Sequence, residues 1–355
     1  MNTSESLVHS HVGPLISHET YELLMAIALV PLFFISLLGI VTNIVNVLVF
    51  AKQGPAADST TVSLMALAVS DLLGCFFSLP QPVCFLLERY VPSESVYIRS
   101  CFVLTTMSAA YPHIICTQIT IWITVYISFE RAVCVIFPLK VKQLVKTKNT
   151  KIFMIIIYAV AIIFHIPFAS NSLIIFVSDP ANNGTVTAIN YQTPLGAFFY
   201  RLNNMLRSNI FTTLAIFIVA IATITMVTRL KASRKWRASV SSALNVAVQP
   251  KSQTSDPSSD AKTKERKSTK EAETVKVVIC ITSIFIACLT FSHLPGLVMY
   301  IIPGYAIDGT NRDLFHFTYS VKFVFDALNS ALNFFFYVKL STRYRKSLQT
   351  FCSHW

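Results

Sequence analysis

Seven stretches of this sequence are predominantly apolar and long enough to cross a bilayer: about 24–50, 62–87, 103–131, 152–177, 208–228, 275–302 and 314–339. A helix needs ~20 apolar residues to traverse the hydrocarbon core. Within lipid, only helices and closed barrels satisfy every backbone polar group. The pattern therefore predicts an all-α membrane protein, a seven-transmembrane helix bundle in one domain. Composition agrees. Charged residues make up 13% of the chain and hydrophobic residues 54%, whereas a soluble chain carries about 25% charged residues.

The net charge of +12 is read through topology. A basic protein can bind nucleic acid, but here the lysines and arginines sit in the connections between spans. With residues 1–23 outside, 23 of the 29 fall on the inner side. Twelve of those lie between Arg229 and Lys276. This bias follows the positive-inside rule. The expected topology is a multi-pass plasma-membrane protein with an extracellular N-terminus and a cytoplasmic C-terminus. Nucleic acid is not an expected partner.

Residues 1–23 are polar and lack the basic start and apolar core of a cleaved signal peptide. Asn2 and Asn183 each open a glycosylation sequon on the outer side. His9, His11 and His18 are poorly spaced for a metal, so none is expected there. Residues 230–274 form a third cytoplasmic loop rich in Ser, Lys and Thr, whose basic ends can extend the flanking helices. Residues 340–355 are too charged to span. They read as an amphipathic helix and tail on the inner leaflet, with Cys352 a candidate for palmitoylation.

Ionisable groups inside spans are functional candidates. Asp71 lies within the second span, and Glu130 and Arg131 close the third. Pro80 and Pro82 are expected to break or kink the second helix. On the seventh span, Asp326, Asn329, Ser330, Asn333 and Tyr337 share one helical face, which turns toward the bundle interior. Taken alone, Glu130–Arg131 is either an interfacial anchor or a switch.

Several short motifs occur in order on the right spans: Gly39 to Asn43, Leu67 to Asp71, Glu130-Arg131-Ala132, Asn329 to Tyr337, and Tyr344-Arg345. In these the chain resembles the rhodopsin-like (class A) G-protein-coupled receptors, with the seven-helix domain over 42–337. The resemblance implies that a heterotrimeric G protein is the cytoplasmic partner and that Glu130, Arg131, Asn333 and Tyr337 form the coupling switch. It also implies that Asn43, Asp71, Thr120, Asn329, Ser330 and Asn333 form a polar core. That core either holds a structural sodium ion or is a hydrogen-bonded network without one. No other cofactor is expected.

The departures from the family pattern are equally specific. Ala132 stands where a Tyr is usual, Phe334 where a Pro is usual, and His293 where the sixth span usually carries a Trp. The second outer loop has no cysteine to pair with the third span. Cys84 and Cys101 together face the oxidising side and are the candidate disulfide.

The ligand is not legible. His113 occupies the position where amine receptors carry an Asp, and Ala327 that of the retinal-binding Lys of opsins, so both ligand types are excluded. His113, Thr117, His293, Tyr319, Lys322 and Asp326 are the polar candidates for the outer cavity, with Asp326 available to a basic ligand group. Each has an internal helix–helix hydrogen bond as its structural alternative. The wording of Phe129 to Lys142 resembles molluscan-type chemosensory receptors. A neuropeptide receptor is the alternative, and a transporter or channel the distant one. No nucleophile–base or metal-ligand spacing points to an enzyme.

Overall fold

The computed structural model describes residues 14–54, 58–93, 95–137, 145–170, 172–179, 185–247, 259–306 and 309–353. The sequons at Asn2 and Asn183, and His9 and His11, lie outside them, as does the side chain of Cys352.

Twelve helices are described: α1 (His18–Gln53), α2 (Ser59–Ser78), α3 (Pro80–Tyr90), α4 (Val96–Arg99), α5 (Cys101–Thr105), α6 (Tyr111–Ile136), α7 (Thr147–Ala169), α8 (Pro194–Asn204), α9 (Thr212–Ala247), α10 (Ser259–Val298), α11 (Arg312–Leu340) and α12 (Thr342–Cys352). Two π-helical turns, Thr106–Ala110 and Met205–Phe211, join α5 to α6 and α8 to α9. Counting these composite helices once, seven helical units form the bundle. Six are apolar enough to cross a membrane among the described residues. The seventh, α11, is 29 residues long. It is more polar because it carries Lys322, Asp326, Asn329, Ser330 and Asn333 on its inward face.

The first and last spans close the ring: α1 lies against both α2 and α11. Helix α6 runs through the middle and touches α2, α7, α9 and α10. The helices are apolar on two sides for two reasons. Inward residues such as Leu67, Ile123, Val219 and Phe285 build the core, while Phe34, Ile155, Phe217 and Ile221 stay exposed on the outer surface. A helix that is hydrophobic all round is one whose solvent is lipid.

Gly39 brings α1 close to α2. A Cβ there would stand 2.4 Å from Cys75 Sγ, so any larger residue would force Cys75 to move. Asn43, one turn on, donates to the Gly39 carbonyl at 2.9 Å and to the Ser330 carbonyl of α11 at 3.1 Å. Helix α2 stops at Ser78, and Pro80 opens α3. Proline has no N–H to continue the ladder and its ring clashes with the preceding turn.

Three boundaries differ from expectation. Residues 172–177 do not prolong the fourth span. Helix α7 ends at Ala169, and Ser172–Asp179 pairs antiparallel with Thr185–Gln192 as strands β1 and β2. A short apolar run rich in β-branched residues suits either state; Pro167 near the helix end tips it. The fifth helical unit begins at Pro194 rather than near 208, with Thr193 accepting from Gly196 N–H as its N-cap. In the third loop, α9 continues to Ala247 and α10 begins at Ser259.

The hairpin covers one end of the bundle. It is held there by Ser100, which accepts from Ala188 N–H at 2.8 Å, and by Arg99, which donates to the Val186 carbonyl at 3.4 Å. A Cys84–Cys101 disulfide, with Cα atoms 5.1 Å apart, ties α3 to the start of α5 at the same end. Helix α12 packs at the opposite end. Tyr344 is buried and donates to Asn46 Oδ1 at 2.7 Å; Arg343 pairs with Asp58; Arg345 caps the carbonyls of Val338 and Lys339 at 3.0 and 2.8 Å.

Candidate functional site

The polar residues of the interior fall into four groups along the bundle axis. At the hairpin end lies a cavity of about 690 Å³ including its mouth. Phe102, Tyr111, Tyr200, Phe315, Tyr319 and Phe323 form its aromatic walls, and Asn203, Asn204 and Arg207 its polar side. Tyr319 is the one ligand candidate from the sequence that lines this cavity. Its ring packs on Phe315 with centroids 4.3 Å apart.

One layer deeper, Asp326 is closed in by its own neighbours. Lys322, one turn back on α11, forms an ion pair with Oδ2. Ser292 of α10 donates to Oδ1 at 2.8 Å. His113 Nε2 stands 3.5 Å from Oδ2. The Gly74 carbonyl can only accept, so His113 Nδ1, 2.8 Å away, carries a proton. Lys322 and Asp326 are both buried and turn to each other, the internal alternative, while Asp326 also lines the inner cavity. A carboxylate in this setting requires a partner, because an unpaired one is costly to desolvate.

A second, smaller cavity lies between Asp326 and the mid-bundle cluster, lined among others by His113, Thr117, Thr120, Asn329 and Ser330. His113 and Thr117 therefore face this inner cavity rather than the hairpin-end one. His293 lines neither cavity. Its Nε2 sits 3.2 Å from Thr213 Oγ1 across the α9–α10 contact, the helix–helix alternative.

Below the second cavity, Asp71 accepts from Thr120 at 2.8 Å, Ser330 at 3.0 Å and Asn333 at 2.9 Å. All three donors are neutral, and no cationic side chain pairs with Asp71 among the described residues. Asn329 Oδ1 is buried without a hydrogen-bond partner among the described residues, and Asn329 lines the cavity above. Asn43 does not reach Asp71. It bonds backbone carbonyls and, through its Oδ1, Asn46 at 3.1 Å, so it ties α1 to α11 and leads toward α12. Hard oxygens around one carboxylate match a hard monovalent cation in donor type. Among the described residues no cluster of His, Cys, Asp and Glu could hold a metal, and Asp71 with hydroxyl and amide oxygens is not such a cluster.

The fourth group lies at the α12 end. Arg131 Nη2 meets Glu130 Oε1 at 2.5 Å. The same oxygen accepts from Ser59 at the start of α2. Glu130 Oε2 and Arg131 Nε have no partner among the described residues, so the pair is held at one oxygen only. Tyr337 does not touch the pair. It is 1% exposed and packs between Phe50 and Tyr344, at 5.3 and 5.4 Å.

Two functional candidates escape the sequence reading. Ser59 gives no signal in an isolated sequence, since serine at a helix start reads as a cap. Arg207 leaves a weak one: it is a cation just ahead of the apolar run that begins at Ile210. Starting the fifth span at 208 assigns it to a loop, whereas the helical unit begins at Pro194 and buries it.

Two comparisons bear on identity. The family described as 7 transmembrane receptor (rhodopsin family) matches residues 42–337. No curated protein matches the sequence.

Proposed function

Because the chain belongs to the rhodopsin family of seven-transmembrane receptors, and so is a multi-pass membrane signalling receptor, we propose that it detects an extracellular small molecule in the hairpin-end cavity and activates a heterotrimeric G protein at the α12 end. The observation that carries this reading is the division of one bundle into an aromatic cavity at one end and a singly held Glu130–Arg131 pair at the other. Aromatic walls with a few convergent polar groups are the lining of a small-molecule site. In this reading the hairpin faces outward and α12 lies on the cytoplasmic leaflet at the plasma membrane. The wording of residues 129–142, similar to molluscan-type chemosensory receptors, favours a chemosensory role over a neuropeptide one.

The bundle works as a two-state element biased from both ends. In the resting state Glu130 and Ser59 hold Arg131 near α2. Outward movement of α10 frees Arg131 and opens a crevice for the G protein. Tyr337 leaves Phe50 and Tyr344 and turns inward, with Asn333 as its link to the Asp71 cluster. A sodium ion near Asp71 would supply the positive charge that the three neutral donors lack, and would favour the resting packing. Helix α12, with Cys352 as its lipidation point, anchors the inner face to lipid, and Asn2 and Asn183 carry glycans outside.

A surface-expressed receptor screened against water-soluble small molecules and peptides, with a promiscuous Gα readout, tests this. Agonist responses are expected from small molecules and are lost in Arg131→Ala at equal surface expression. A response that survives Arg131→Ala overturns the switch, and responses to peptides alone overturn the chemosensory assignment.

A further inference from the structure

We propose that the hairpin-end cavity is an anion site: its ligand carries one carboxylate-type group seated on Arg207 and an apolar or aromatic body against the ring walls. This rests on that cavity being the ligand site and names the chemistry it selects.

Arg207 is 6% exposed. Among the described residues its side chain makes one hydrogen bond, from Nη2 to Asn204 Oδ1 at 3.1 Å, and Nε is buried without a partner. No carboxylate pairs with Arg207 among the described residues. Asp326, the buried carboxylate of α11, already holds Lys322. A guanidinium out of water with no counter-charge is unfavourable, so this corner has a standing excess of one positive charge.

Its neighbours add donors of the same sense. Accepting from Arg207 fixes the orientation of the Asn204 amide, which leaves Asn204 Nδ2 as a donor facing elsewhere. Asn203 Nδ2 is buried without a partner among the described residues, while the Asn204 amide lies beside the Tyr200 hydroxyl. All three residues line the cavity. They sit where α8 passes into the π-helical turn Met205–Phe211, and such turns re-aim side chains at functional sites. Unsatisfied N–H groups around a buried guanidinium form a receptor for acceptor oxygens. A guanidinium binds a carboxylate through two parallel hydrogen bonds. One uncompensated cation matches one negative charge, and the walls of Phe102, Tyr111, Tyr319 and Phe323 suit an apolar body. A monoamine or other cationic ligand is disfavoured by the same charge.

The test uses the purified full-length receptor in detergent and three matched probes: 3-phenylpropionate, its neutral amide 3-phenylpropionamide, and the cation 3-phenylpropylamine. At about ten times its dissociation constant the carboxylate should raise the melting midpoint by about 3 °C, while amide and amine leave it unchanged. Arg207→Gln should abolish the shift, and its unliganded midpoint should equal or exceed that of wild type, since a buried unpaired charge is removed. Should that variant not fold, Asn203→Ala keeps the charge and should weaken carboxylate binding by about tenfold. Equal shifts from all three probes, an undiminished shift in Arg207→Gln or Asn203→Ala, or no shift from the carboxylate overturns the anion site. The receptor reading is scored separately in cells. Carboxylate binding without any change in signalling overturns that reading and spares the anion site. Signalling by neutral or cationic ligands that ignores Arg207→Gln does the reverse.

Discussion

Asp71 and Asp326 are both buried in the same bundle, yet they are satisfied in different ways. Asp326 has a cation one turn away on its own helix, plus Ser292 and His113. Asp71 has only Thr120, Ser330 and Asn333, none of them charged. The upper carboxylate belongs to a closed unit that no incoming group needs to complete. The lower one is an incomplete unit, which is why it and not Asp326 is the place to expect a mobile cation. Arg207 is the mirror case, a cation with no anion among the described residues.

The largest effect separates the two aspartates directly. Lys322→Met leaves Asp326 as an uncompensated buried charge and should cost about 3–5 kcal/mol of stability, read as a fall in the detergent melting midpoint. The double variant Lys322→Met with Asp326→Leu should recover most of it. If the single variant melts like wild type, Asp326 is not dependent on its lysine and the contrast with Asp71 collapses.

Sodium sharpens the other half. At ten times its dissociation constant, sodium should stabilise the wild type by about 1.4 kcal/mol relative to a bulky organic cation at equal ionic strength. Asp71→Asn should erase that difference, whereas Lys322→Met should keep it. A wild-type receptor indifferent to sodium removes the ion from the account and leaves a neutral network around Asp71.

A third carboxylate, Glu130, has both a cation and a neutral donor on one oxygen. Ser59→Ala removes the neutral donor, a charge-assisted bond worth about 1.5 kcal/mol. Basal signalling should rise by up to about tenfold at matched expression. Unchanged or lower basal output assigns Ser59 to helix capping alone.

The smallest effect concerns a pair outside the lipid. Asp58 caps α2 by accepting from Thr61 N–H at 2.8 Å and also pairs with Arg343 of α12. Burial pushes its carboxyl upward, but the Arg343 guanidinium and the Thr61 donors outweigh that and hold it below the usual carboxylate value. Its stabilisation is therefore complete above the unfolded value near ~3.9 and is lost as pH falls through the lower folded value. The Asp58 side chain is 38% exposed, so water screens the pair and its loss should cost under about 1 kcal/mol. Asp58→Asn keeps a capping side chain and should flatten this acid dependence. An acid-induced drop of the same size in the variant assigns it to another group.

Much of this arrangement was legible beforehand because two periodicities are strong. Span length announces the bundle, and the helical repeat from Asp326 to Tyr337 announces the inward face of α11. Glu130–Arg131 is legible because adjacent opposite charges at a span end have few other uses. The i, i+4 spacing of Lys322 and Asp326 was also readable, but spacing does not say whether the two turn to each other or to a ligand. The β-hairpin was hidden by a β-branched run adjoining a helix, and Arg207 by a helix start placed about four turns too late.

The sequence by itself determined the class of molecule, its seven crossings and the identity of the groups too costly to bury without reason. The solvent decides that: of the structures lipid tolerates, long apolar runs can form only helices, and every charge within them stands out. Which charge meets which partner was decided by the tertiary structure. Asp326 finds Lys322, Asp71 finds hydroxyls and an amide from α6 and α11, and Arg207 finds no counter-ion among the described residues. Those outcomes depend on helix rotation and on close approaches such as Gly39 against Cys75, which no local pattern encodes.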